Sequence, residues 1–329
     1  MRQPDLPGSS DKRFVAELRV GELVDTTFLL RRCDLRTRKN GEPYLALEFS
    51  DKSGLVSGRM WDHAEASAKA VGEGEYVHVV GAVETWQAQP QIKVDRLGPA
   101  DAGYIDPADY LPASRRDVNE MYSELLAIVD SVRNEHLRQL LDTTFGDSQV
   151  AAMFRRAPGG VLLHHAYVGG LLEHTLSVVN LAIRLAEHYP SLDRDLLITG
   201  ACLHDLGKIW ELAYDQSFQY TLEGRLVGHL LLESNWLASC MDDIEGFPAP
   251  LRHHVLHLLA SHHGLFEHGA PVQPVTREAL VLHYVDDLDS KMGAMDIAMA
   301  EAEATGADTA YSRSLGRKVI RRRWNEVKE

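Results

Sequence analysis

Thr199-Gly-Ala-Cys-Leu-His204-Asp205-Leu-Gly207-Lys208 is an apolar stretch that runs into two adjacent polar side chains of ligand type. An unpaired histidine and aspartate in such surroundings would be costly to bury. Imidazole beside carboxylate is the donor chemistry of divalent metal sites. Apolar residues at three- and four-residue spacing predict a helix up to this point, and Gly207 predicts its left-handed C-terminal residue. The same periodicity continues on both sides, over Gly170–Tyr189, Arg194–Leu206, Gly228–Met241, Pro250–Ser261 and Arg277–Glu303. Residues 117–329 therefore predict an all-α domain.

Further ligand-type residues fall at comparable places in these helices. His174 lies early in its helix, and His229 follows Gly228 at a helix start. His262-His263-Gly264 closes another helix, and Asp286 lies within His283-Tyr-Val-Asp286-Asp287-Leu-Asp289. An adjacent His-Asp pair supplies two ligands to one centre where the backbone turns, and a carboxylate can bridge two ions. Two ions ~3.5–4 Å apart clamp the attacking and leaving oxygens of an in-line phosphoryl displacement. His63, His78, His136, His188, His253, His257 and His268 are read as packing or surface residues, and His254 and His283 as candidate supports for ligands.

Residues 13–98 follow a different period. In Tyr44-Leu-Ala-Leu-Glu-Phe-Ser50, Leu45, Leu47 and Phe49 share one face. Lys39-Asn40-Gly41-Glu42-Pro43 before it and Asp51-Lys52-Ser53-Gly54 after it are turn signals. Strands are predicted over Val24–Leu35, Tyr44–Ser50, Leu55–Trp61, Glu75–Val83 and Gln91–Leu97, with a helix over His63–Val71. Three strands, a helix and two strands are the layout of an OB-fold, a small all-β Greek-key barrel. Pro99–Arg116 holds three prolines and reads as a linker.

OB barrels hold single strands on aromatic platforms in a basic groove. The candidates are Arg36, Arg38 and Lys39 of the first hairpin, Tyr44 and Arg59 on strands, and Trp86 and Lys93 around the loop between the last two strands. A loop tryptophan that lids the core, or a protein-interaction face, is the competing reading. The run Arg317-Lys318-Val-Ile-Arg321-Arg322-Arg323-Trp324 is basic and amphipathic, and reads as a solvated helix end packed by Ile320 and Trp324.

The 329 residues suit two domains, and 45% hydrophobic with 25% charged residues is a globular composition. No apolar run approaches the ~18 residues that span a bilayer. Residues 1–12 have no apolar core of a signal peptide and read as a flexible arm. Cys33, Cys202 and Cys240 are odd in number and far apart, so no disulfide framework is expected and a reducing cytoplasm is. The net charge of −14 argues against coating nucleic acid by bulk charge. Acidic and basic residues balance between Lys12 and Arg96, which leaves room for a local anion-binding face.

The succession His174 … His204-Asp205 … Asp286 resembles the HD-domain superfamily of metal-dependent phosphohydrolases. His164-His165-Ala-Tyr167-Val-Gly169-Gly170-Leu-Leu-Glu-His174-Thr, with Ser261-His262-His263-Gly264 and Leu282-His283-Tyr-Val-Asp286-Asp-Leu-Asp289-Ser-Lys291-Met, is similar to the YhaM-type 3′→5′ exoribonucleases of bacteria. Those pair an N-terminal OB-fold with a C-terminal HD domain. The resemblance implies trimming of single-stranded RNA, or of single-stranded DNA, from the 3′ end to nucleoside monophosphates. It implies divalent ions, two per site, with manganese expected first and magnesium, cobalt, iron or nickel as alternatives. By transfer, His174, His204, Asp205 and Asp286 hold one ion. Asp205 bridges to a second held by His229 with His262, His263 or both. Lys208 is expected to meet a phosphate oxygen, and His165 and Tyr167 the terminal nucleotide; a lysine favouring a helix C-terminus and packing around Gly169-Gly170 are the bland alternatives. A homo-oligomer is compatible with this reading. The rivals are an HD phosphohydrolase of a small nucleotide, which would owe nothing to residues 1–98, and a non-catalytic nucleic-acid-binding protein.

Overall fold

The computed structural model describes residues 12–38, 41–86, 89–101, 105–106, 109–161, 165–214, 218–312 and 314–321. Lys39, His164 and the end of the basic C-terminal run, from Arg322, lie outside them. The chain divides into two compact units at Ala113/Ser114. Among the described residues no helix is long and apolar enough to cross a membrane.

The first unit is a closed five-stranded barrel. Its strands are β1 (Leu23–Thr37), β2 (Pro43–Asp51), β3 (Gly54–Met60), β4 (Tyr76–Trp86) and β5 (Gln89–Pro99), with α1 (Ala64–Ala70) between β3 and β4. The order is β1-β2-β3-β5-β4, closed by the antiparallel β1–β4 pair, and β3–β5 is parallel. This is the OB-fold expected from the strand-helix-strand order. Alternation drives closure: Leu45, Leu47 and Phe49 of β2 point inward, where Phe28 and Phe49 pack with ring centroids 5.7 Å apart. The predicted linker is partly barrel, because β5 reaches Pro99 and Tyr110 and Leu111 are buried. The Tyr110 ring lies 4.7 Å from that of Tyr76.

The second unit is helical: α2 (Val118–Asp130), α3 (Glu135–Gly146), α4 (Ser148–Arg156), α5 (Gly170–His188), α6 (Arg194–Leu203), α7 (Lys208–Glu211), α8 (Leu222–Val227), α9 (His229–Asp242), α10 (Ala249–Ser261) and α11 (Arg277–Thr305). One apolar core joins all of them except α8, and α6 packs against α5, α10 and α11. Polar caps set the entries. Asp117 accepts from Asn119 N and Glu120 N at the start of α2, and Asp147 from Gln149 N and Val150 N at the start of α4. Asp147→Ala is expected to cost about 1 kcal/mol in a denaturant titration, a lost N-cap; an unchanged midpoint would show that this cap contributes nothing.

Two small hairpins interrupt the helices, β6 (Leu212–Ala213) with β7 (Gln219–Tyr220), and β8 (Thr309–Ser312) with β9 (Arg317–Ile320). The second corrects the expected helix end. Arg317–Ile320 is a strand in which Val319 is buried and Ile320 exposed. The antiparallel pairing with β8 makes it a strand, since one buried position in four fixes no period.

Candidate metal centre

α5, α6 and α11 carry His174, His204 and Asp286 to one place, with Asp205 directly after His204. His174 Nε2 lies 3.2 Å from His204 Nε2 and 3.2 Å from Asp286 Oδ1. Asp205 Oδ2 lies 3.4 Å from His174 Nε2 and 3.5 Å from His204 Nε2. Beyond Leu203 the backbone tightens to three-residue hydrogen bonds, Leu206 N to Leu203 O and Lys208 N to Asp205 O. That tightening turns two successive side chains to one centre.

The other oxygen of Asp205 faces a second group. Its Oδ1 lies 3.6 Å from His229 Nε2 and 3.8 Å from His262 Nε2. Ligand atoms of His229, His262 and His263 all lie within 4.8 Å of one another. His229 Nε2, His262 Nε2 and His263 Nδ1 are buried and have no hydrogen-bond partner among the described residues. Three such nitrogens in one pocket are expensive unless something binds them. A divalent ion fits this donor set, as it fits His174, His204 and Asp286.

The surroundings orient the rings for that role. Each of four histidines has Nδ1 against an oxygen acceptor and Nε2 toward the centre: His174 at 2.7 Å from Asp289 Oδ2, His204 at 2.9 Å from Ala201 O, His229 at 3.0 Å from Glu211 Oε1, and His262 at 2.8 Å from Leu259 O. Such partners fix the tautomer that leaves the Nε2 lone pair free. Burial, with the nearby ring of His263, holds His262 well below the usual histidine range, so its imidazole is neutral. Burial opposes charge on Asp205, but the groups facing it, the Lys208 ammonium foremost, hold the carboxyl well below its usual range.

Lys208 starts the short α7 instead of ending a helix, which removes the dipole explanation for it. Its Nζ lies 2.6 Å from Asp205 Oδ2 and donates to Gly159 O at 2.8 Å. His165 and Tyr167 are engaged with each other at 2.8 Å, and beyond them with Asp289 and Glu173. His283 supports the centre through Nδ1, 2.8 Å from His262 O. Gly264, beyond the end of α10, has φ +76° and donates its N–H to Ser261 O at 2.8 Å.

Glu211, Glu233 and Asp289 were not singled out from sequence. Glu233 is fully buried, accepts from Gly207 N at 2.9 Å, and is pushed well above the usual carboxylate range by burial. Carboxylates that act through a histidine, as Glu211 and Asp289 do, or through a backbone N–H, as Glu233 does, have no spacing of their own to betray them; only Asp289, three residues after Asp286, carried a helical hint. Glu211→Gln removes the charge beside His229 and is expected to weaken divalent-ion binding about 10- to 100-fold, read by calorimetric titration. An unchanged isotherm would sink the role given to Glu211.

On the barrel, cross-strand pairing places Arg36 beside Tyr44, Ala46 beside Arg59, and Arg59 beside Lys93. Partners share a face, so Arg36, Arg38, Tyr44, Arg59, Lys93 and Trp86 all fall on the outer one. Trp86 ends β4, paired with Gln89, and is a strand residue where a loop was expected; it is 58% exposed. Trp61, absent from the expected set, stacks on Tyr44 with centroids 5.0 Å apart. Arg38 covers Trp61 at 4.6 Å and Arg59 covers Tyr44 at 5.5 Å. Arg36 and Arg38 pair with Asp34 and Glu42, whereas Arg59 and Lys93 make no ion pair among the described residues.

A helical unit that gathers His174, His204-Asp205 and Asp286 in this way is an HD domain, and the HD domain family model matches residues 171–291. The 3′-5′ exoribonuclease YhaM of Bacillus subtilis is 34% identical over 281 residues, covering 85% of this chain and 88% of that protein. The YhaM of Bacillus velezensis is 35% identical with the same coverage. The chain belongs to the YhaM 3′-5′ exoribonuclease family. Solved structures that align with part of it include the second OB-fold domain of replication protein A from Methanococcus maripaludis, at 21% identity, over 28% of this chain and 96% of that one, with a TM-score of 0.24. A replication protein A heterotrimer bound to single-stranded DNA aligns at 19% identity over 30% of this chain and 71% of that one, with a TM-score of 0.21.

Proposed function

We propose that this protein is a divalent-metal-dependent 3′→5′ exoribonuclease that shortens single-stranded RNA to nucleoside monophosphates. The observation that carries the reading is the division of Asp205, whose Oδ2 faces His174 and His204 while its Oδ1 faces His229 and His262. Family membership supplies the direction of attack and the substrate. Two ions are proposed, manganese first, one with His174, His204, Asp205 and Asp286 and one with Asp205, His229, His262 and His263. The chemistry that such a bound pair supplies is a hydroxide near neutral pH and a clamp on the attacking and leaving oxygens.

The chain's own groups do the rest. An ammonium carries three donors, and two at Lys208 are used on Asp205 and Gly159. The third is left for a phosphate oxygen. Neutral His262 and ionised Asp205 hold the protonation states that ligation needs. The outer face of the barrel, with Arg59, Lys93, Tyr44, Trp61 and Trp86, is proposed to hold the strand, and a cytoplasmic location suits thiols without a disulfide framework.

The test is the product pattern on a 3′-tailed, 5′-labelled single-stranded RNA in Mn²⁺, beside a DNA of the same sequence. A ladder that shortens from the 3′ end supports the reading, and the DNA lane gives the sugar preference. Intact RNA in the presence of bound metal would sink it and put a small-nucleotide phosphohydrolase first.

A further inference from the structure

We propose that His165 and Tyr167 are positioning residues: His165 closes a ring of contacts around the His174–Asp205 side of the centre, and Tyr167 holds the His165 ring in place. Meeting the terminal nucleotide, the role that resemblance implies for them, would require polar atoms that are already engaged. Nδ1 of His165 lies 2.8 Å from the Tyr167 hydroxyl, and Nε2 lies 3.1 Å from Asp289 Oδ2. The Tyr167 hydroxyl also donates to Glu173 Oε2 at 2.9 Å.

The ring can be followed atom by atom. Asp205 Oδ2 holds Lys208 Nζ at 2.6 Å, and that ammonium donates to Gly159 O at 2.8 Å. Gly159 N in turn donates to His165 O at 2.8 Å. The His165 ring then reaches Asp289 Oδ2, which also takes His174 Nδ1 at 2.7 Å. The ring closes where His174 Nε2 and Asp205 Oδ2 face each other at 3.4 Å, as two candidate ligands of one centre. Two ligand side chains from different helices are thus tied through one turn outside any helix.

The backbone of that turn fits the role. His165 has φ +55°, a left-handed conformation that a side chain with a Cβ disfavours. Its carbonyl, accepting from both Gly159 N and Tyr167 N, holds it there. Strain of this kind persists where surrounding bonds over-determine it. Asp289 shares Oδ2 between His165 and His174 and takes the Ser177 hydroxyl on Oδ1, so losing the His165 contact leaves Oδ2 to His174 alone and lets the carboxylate turn about the Ser177 bond. Partners of this class usually tune a ligand's affinity for metal.

The proposal rests on the exoribonuclease reading only for its kinetic arm. The variants are Tyr167→Phe, which removes one hydroxyl, and His165→Asn, which keeps a residue tolerant of left-handed backbone. In the full chain, Mn²⁺ affinity is measured by calorimetry without RNA, and then kcat and KM on single-stranded RNA. The expected result for both is Mn²⁺ binding about 10-fold weaker, with kcat reduced and KM for RNA within about twofold. Mn²⁺ affinity equal to wild type overturns the proposal, and a raised KM with unchanged kcat in that case assigns the pair to the nucleotide. A wild type that binds Mn²⁺ but leaves RNA intact would defeat the function while the metal arm still decides this inference.

Discussion

Asp205→Asn is expected to lower kcat by about 10⁴-fold, near 5.5 kcal/mol of transition-state stabilisation, and to cost the protein most of its divalent-metal binding. The size follows from geometry. One carboxylate presents Oδ2 to His174 and His204 and Oδ1 to His229 and His262, all within 3.8 Å. An amide keeps the shape, but one of its ends becomes an NH₂ that cannot ligate, and the charge shared by both groups is lost. Lys208 suffers too, because its ammonium is left half-buried without the carboxylate 2.6 Å away. Single-turnover assays with metal analysis check this, and circular dichroism shows whether the fold persists. Activity within tenfold of wild type, at full metal content, would remove Asp205 from the centre.

Gly207→Ala is the second large effect, and here one methyl group does the damage. Gly207 has φ −58°, which alanine adopts freely, so the backbone conformation is no obstacle. A Cβ there would lie 2.2 Å from His229 O and 2.8 Å from His229 C. Both are backbone atoms at the first residue of α9 and cannot swing aside. The start of α9 must shift, and with it the His229 ring. We expect a loss of about 1–3 kcal/mol in stability from overpacking. Turnover should fall about 10²-fold, the scale associated with a displacement near 1 Å. The control is Gly146→Ala, where nothing lies within 4 Å of the added Cβ and φ is not positive. That change should leave turnover intact and raise stability by about 0.4–1 kcal/mol. Equal melting curves for the Gly207 variant and wild type would show that α9 yields without cost.

The same glycine marks a limit of reading a sequence. Its place after an apolar helical run predicts a left-handed cap, yet the chain stays right-handed and continues into α7. What demands glycine is the carbonyl of a residue 22 positions away. At Gly264 both reasons act, since its φ is +76° and a Cβ there would also lie 2.2 Å from the ring of His283, 19 residues on. The C-terminal basic run failed for another cause. Over four residues, helix and strand periods are hard to tell apart, and the pairing of β9 with β8 decided between them.

By itself the sequence determined what rests on local periodicity and on scarce chemistry. Alternation in Tyr44–Ser50 and helical spacing beyond Asp117 specified a barrel followed by helices, because each period buries one face of its own element. His174, His204, Asp205, His229, His262, His263 and Asp286 were legible because histidine and aspartate are costly in apolar helices without a partner. Only the tertiary structure decided how the donors are grouped around the two oxygens of Asp205, and which carboxylates hold the rings and the Gly207 backbone. Glu211, Glu233 and Asp289 work across 18, 26 and 115 residues of chain. Hydrogen bonds of that range depend on where helices pack, and packing is set by the whole core, not by any segment of it.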